Sequence, residues 1–197
     1  MEISLLEKIQ NENKGLIKTS DFTKMKIDYM GIQRLIKKGV IEKVKNGYYC
    51  LAGEIKDEEA LVSHLFPDGV MCMYSALYYY GYTKRMPNEW HIAVDKDTSK
   101  SRFKIDYPFI KPYYTEPDYL YVGACDILIK NYPMKIYNKE RLICDCIKYE
   151  DKMNPSDFNY LISKYIEEEN KNISDLLEYG KLRRVSKRLD SLLGVWL

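Results

Sequence analysis

The chain has 197 residues, 46% of them hydrophobic and 30% charged, with a formal net charge of +2. That is length for one or two globular domains, and the total charge is too small to imply a polyanionic partner by itself. No run of about 18 apolar residues occurs, which excludes a membrane-spanning helix, and the acidic opening MEISLLEKIQ has no apolar stretch with a small-residue cleavage site, so a cytoplasmic protein is expected.

In chain order, Ile3, Leu6 and Ile9 recur at helical spacing and Gly15 offers a stop, which predicts a first helix. KTSDFTKMKI supplies Thr19 or Ser20 as N-cap of a short second helix that buries Phe22 and Met25. DYMGIQRLIKKG follows with Asp28 as N-cap, Ile32, Leu35 and Ile36 on one face, and a basic last turn before Gly39. Three helices with short connections, the third basic on its far side, form a helix-turn-helix pattern.

VIEKVKNGYYCL then reads as two short strands around an Asn-Gly turn. A hairpin directly after a helix-turn-helix has the place of a wing. Between Lys14 and Tyr48 there are nine basic residues against three acidic ones, a local excess of six that leaves the rest of the chain near −4. Such a patch is the electrostatic footprint of a nucleic-acid partner. On the third helix Tyr29, Met30, Gln33, Arg34 and Lys37 are expected to be exposed. Arg34 suits a guanine edge and Gln33 an adenine edge, and Gly31 would let the backbone come close. Lys24, Lys26, Lys37, Lys38, Lys43 and Lys45, with Asn46 at the hairpin tip, are expected to neutralise or contact phosphates and set register. Double-stranded DNA is the expected partner, and a module this small calls for two copies on a palindrome or for cooperative neighbours to bind tightly.

Further on, two helices are expected on either side of Pro67-Asp68-Gly69, the second from Met71 to Tyr80, apolar nearly all round and central. WHIAVD, FIKPYY and YLYVGA read as short strands interrupted by prolines. Asp95, Lys96, Asp97 and Lys100 could be imagined as a nuclease centre, but DKDTSKSR has the composition of a solvated loop, and His64 reads as a core or boundary residue. Helices return from Asn138, which caps the first. Asn154 before Pro155 caps the next, and a final basic helix carries Lys181, Arg183, Arg184, Lys187 and Arg188.

The five cysteines are odd in number and scattered, which suits reduced thiols. Cys144 and Cys146 fall on nearly opposite sides of a helix, and no second pair completes a zinc set. No metal, cofactor or catalytic activity is expected. The fold expected is α+β: an N-terminal winged helix-turn-helix over residues 1–53, then a mixed α/β domain over 57–197 with a terminal helical segment.

The order and spacing of LIKKGVIEKVKNGYYCL, FPDGVMCMYSALYYYGYT, MPNEWHIAVDK and KIYNKERLICDCIKY resemble the AbiEi family of antitoxins from bacterial abortive-infection operons. The likeness runs over roughly residues 15 to 150. It implies a toxin-antitoxin system of type IV, in which the N-terminal winged helix acts as transcriptional repressor of its own operon at inverted repeats. The C-terminal domain would counter a nucleotidyltransferase-like toxin, without a stable complex being required. The carry-over reaches only the winged-helix surface, with Arg34, Lys37, Lys43 and Lys45 foremost. Family-like domains also serve as stand-alone transcriptional regulators whose C-terminal domain senses a ligand or partner.

Overall fold

Short β segments between amphipathic helices divide the chain into two compact units in the computed structural model, which describes residues 2–13, 15–53, 57–105 and 107–194. The fold is mixed α+β, with ten α-helices and two sheets among the described residues. No helix of these is long and apolar enough to cross a membrane.

The first unit comprises Met1–Pro67, Lys100–Phe109 and Ile129–Tyr132. Its elements are α1 (Glu2–Glu12), β1 (Ile17–Lys18), α2 (Thr19–Lys24), α3 (Tyr29–Lys37), β2 (Ile41–Lys45), β3 (Tyr48–Leu51), α4 (Glu58–Leu65) and a 3₁₀ turn at Lys100–Phe103. The three strands form a sheet in the order β1-β3-β2, with Ile17 opposite Tyr49 and Ile41 opposite Leu51. Leu6, Ile17, Phe22, Ile32, Ile41, Tyr49 and Leu51 share one core, and Phe22 meets Tyr49 edge-on at 5.4 Å.

The strand β1 is absent from the sequence reading, and it explains where α2 begins. Lys18 pairs with Tyr48 in an extended conformation, so it rather than Thr19 or Ser20 precedes the helix. Asp21 caps from within, its Oδ2 accepting from the Lys18 backbone N–H at 3.0 Å. Phe22 is buried as expected, but Met25 is only half-buried at the helix end.

The second unit comprises Asp68–Ser99, Ile110–Leu128 and Pro133–Leu197. Its strands are β4 (Val70–Met71), β5 (Trp90–Asp95), β6 (Ile110–Thr115), and β7 (Ala124–Ile129) and β8 (Tyr132–Tyr137) apart from their end residues Ile129 and Tyr132, and its helices are α5 (Met73–Tyr79), α6 (Pro117–Leu120), α7 (Lys139–Lys148), α8 (Pro155–Ile166), α9 (Ile173–Leu182) and α10 (Ser186–Leu193). The sheet order is β6-β5-β4-β8-β7, parallel for β5/β6 and β4/β8 and antiparallel for β4/β5. Pro112 lies within β6 opposite Ile92, and β6 is an edge strand, the place in a sheet where proline is tolerated.

Several expectations are corrected here. YLYVGA is no strand: Pro117 starts the short helix α6, and the following strand runs from Ala124. Met71 belongs to β4, so the helix after it starts at Met73, and its outer side shows Tyr78 and Tyr79 to solvent. The helix buried all round is α7, with every residue from Glu140 to Ile147 inside, so Cys144 and Cys146 point to different sides yet are both buried. The final basic helix is two, α9 and α10, broken where Arg184 takes φ +60°. That break turns Arg183 inward beside Asp145, while Arg188 pairs with Glu150 at 2.6 Å, so the expected cationic face is dispersed.

Candidate nucleic-acid interface

The exposed side of α3 is built by its N-terminus. Asp28 is the N-cap, its Oδ1 accepting from the Gly31 N–H at 2.8 Å, which satisfies one of the free donors of the first turn. Ile32 is buried below and Leu35 and Ile36 are half-buried, so the opposite side must face out. There Tyr29 and Met30 are 68% and 62% exposed. Arg34 is exposed with its Nε donating to the Met30 carbonyl at 3.3 Å, and Lys37 and Lys38 are exposed in the last turn, where cations suit the helix dipole. Gln33 is half-buried at the flank of this face.

Gly31 has a packing role within the unit. A Cβ at this position would stand 2.7 Å from Ile27 Cγ2 and 3.2 Å from Asp28 Oδ1. The small residue therefore admits Ile27 and the cap against the helix.

The β2–β3 hairpin turns at Asn46-Gly47, with Gly47 at φ +84°, a conformation that suits glycine. The pairing shifts between Lys43 and Lys45, so the tip is bulged. Lys43 and Asn46 are exposed, whereas Lys45 is turned back against the unit. Its ammonium lies 3.5 Å from the Arg102 carbonyl oxygen and 5.5 and 5.8 Å from the rings of Tyr48 and Phe66. Burial first, and the Arg102 charge second, pull its pKa below the ordinary lysine value. Lys26 is exposed at φ +58°, and the exposed ammonium of Lys24 is shared with Asp21 at 3.4 Å.

The structure thus gathers Tyr29, Arg34, Lys37 and Lys38 on α3, and Lys43 and Asn46 on the hairpin, among exposed residues of one unit. It engages Lys24 and Lys45 with neighbouring groups. The sequence reading missed the segment 100–105, which belongs to the same unit. Ser101, Lys104 and Ile105 line a cleft of about 320 Å³ with Lys43, Val44, Lys45 and Asn46. The available signal was the basic run KSRFK, which composition alone assigns to a solvated loop.

The Asp95 region is a turn: Asp95 Oδ1 accepts from the Asp97 N–H at 2.8 Å, and Lys96 pairs with Glu116 at 2.7 Å. Those bonds organise the loop after β5.

A crystal structure of the Rv2827c protein from Mycobacterium tuberculosis is similar to this chain, with a TM-score of 0.73, 16% sequence identity, and coverage of 98% of this chain and 75% of that one. At that identity the likeness is one of fold. No protein-family model and no curated protein matches the chain.

Proposed function

We propose that the first unit is a winged helix that binds double-stranded DNA, with α3 as recognition helix and the β2–β3 hairpin as wing. In this reading the chain is an antitoxin of the AbiEi kind that represses its own operon at an inverted repeat, and its second unit counteracts a nucleotidyltransferase-like toxin. It is a binding protein rather than an enzyme.

The observation that carries the reading is the outward face of α3. A capped N-terminus is followed within two turns by exposed Tyr29, Met30 and Arg34, with exposed Lys37 in the last turn, and the hairpin of the same unit carries exposed Lys43 and Asn46. A helix reads base edges in the major groove from its first turns. The bidentate guanidinium of Arg34 matches the O6 and N7 acceptors of guanine, and Met30 offers apolar contact to a thymine methyl. Lys37, Lys38 and Lys43 then act on phosphates, which fixes register without reading sequence. One such module covers little of the duplex, so tight binding calls for two copies on a palindrome.

The test is footprinting of the full chain on the region upstream of its own coding sequence, together with co-expression of a nucleotidyltransferase-like gene found beside it. A protected inverted repeat and rescue of growth support both halves of the proposal. Protection without rescue would leave a stand-alone regulator, and no protection would overturn the DNA-binding half.

A further inference from the structure

The cleft between the hairpin and the segment 101–105 is lined by three lysines, Lys43, Lys45 and Lys104, together with Asn46 and Ser101 and the apolar Val44 and Ile105. Ammonium groups donate and cannot accept, so the ligand that suits this lining is rich in acceptors and negative. Of these, Lys45 is held in place through Arg102. Arg102 donates from Nη2 to the Leu65 carbonyl at 2.9 Å, and its guanidinium stands 5.1 Å from the centre of the Phe66 ring, which is itself stacked on Phe103 at 5.5 Å. That stack fixes the Arg102 carbonyl on which Lys45 rests. The Arg102 guanidinium and the Lys45 ammonium are thereby kept near each other at a cost in like-charge repulsion, and the depressed Lys45 pKa reflects part of it. An anion in the cleft would relieve that repulsion.

We propose that this cleft seats one phosphate of the DNA backbone, so that Ser101 and Lys104, more than fifty residues along the chain from the hairpin, form a second part of the interface. The inference rests on the DNA-binding reading of the unit and deepens it. The hairpin supplies Lys43 and Asn46 from one side of the phosphate, and the 3₁₀ turn with its following residues supplies Ser101 and Lys104 from the other. The contact is one of position and affinity, since a phosphate carries no sequence information.

Fluorescence anisotropy of the full chain, titrated over a range of KCl concentrations, tests this with two labelled duplexes of equal length: one from the region upstream of the coding sequence and one of scrambled sequence. Lys104→Ala should lower the salt slope of log K by about 0.9 and weaken binding about fivefold at 0.15 M salt on both duplexes alike. Ser101→Glu, which sets a carboxylate into the cleft, should weaken both further. Both positions are exposed, and an unchanged thermal midpoint verifies that the variants fold. Arg34→Ala is the control and should chiefly reduce preference for the upstream duplex. If Arg34→Ala acts in that way while Lys104→Ala and Ser101→Glu keep wild-type affinity and slope, the phosphate seat is refuted and the DNA-binding reading stands; the cleft would then suit an acidic protein surface. If the wild-type chain binds neither duplex, both fall together.

Discussion

Arg183 meets Asp145 in the interior of the second unit, with side chains only 8% and 6% exposed. The contact is an ion pair rather than an aligned hydrogen bond, since the Arg183 Nε–H is not directed along it. Arg141, fully buried, lies on the same carboxylate, its Nε donating at 3.2 and 3.3 Å, while its Nη1 donates to the carbonyls of Tyr119 and Val122 at 3.0 and 2.8 Å. One carboxylate therefore joins α7 to the break between α9 and α10. Removing one partner of a buried pair leaves an uncompensated charge, so Asp145→Ala should destabilise the protein by about 3–5 kcal/mol. Urea unfolding measures it; a midpoint equal to wild type would mean the cluster is solvated.

At Gly31 the expected effect is on stability. An added methyl meets Ile27 at 2.7 Å, so Gly31→Ala should destabilise by about 1–3 kcal/mol by overpacking, despite the better helix propensity of alanine. A rise in thermal midpoint would show that Ile27 yields and that the glycine has another purpose.

The start of α3 depends on Asp28. Asp28→Ala should cost about 1 kcal/mol and weaken DNA binding by fraying the turn that carries Tyr29 and Met30, and Asp28→Asn should restore most of both. Circular dichroism melts and duplex titrations of the two variants separate this from a charge effect, because asparagine keeps the acceptor and drops the charge. Equal losses in both variants would contradict the capping account.

His91 gives a pH dependence. It is buried against Tyr113, whose hydroxyl lies 3.1 Å from Nδ1. Desolvation, with Lys111 second, brings its pKa down to about 4, and Glu89 opposes this only in part. Because the folded pKa is below the unfolded value of 6.5, the unfolded chain takes up the proton first. The associated stability is full above about pH 6.5 and is lost as pH falls toward 4, by about 3 kcal/mol in all. His91→Gln should flatten the stability profile across that interval. A profile as steep as wild type would assign the loss to other groups.

The caps of three helices were among the legible parts of this fold, as were the β2–β3 hairpin and β5. Asp28, Asn138 and Asn154 cap where their positions ahead of apolar periodicity say they should, because a cap is a local bond between near neighbours. The two-residue strands β1 and β4 were not legible, since Ile17–Lys18 and Val70–Met71 become strands only by pairing with Tyr48–Tyr49 and with β5 and β8. Tertiary pairing also decided the site. Arg34 and Lys37 could be placed outward from helical period alone, but the retreat of Lys45 toward Phe66 and Arg102 depends on a segment far along the chain. The same holds for Arg183, which a helical wheel assigns to solvent and the break at Arg184 turns inward.

The central claim is that α3 and its hairpin recognise a DNA sequence. Its most direct test is competition binding of the full chain at 0.15 M salt between the upstream duplex and a scrambled duplex of the same length and composition, with and without Arg34→Ala. The account predicts a preference of about a thousandfold or more for the upstream duplex, reduced at least tenfold by the substitution. Equal affinity for the two duplexes, or a preference that Arg34→Ala leaves intact, would contradict it.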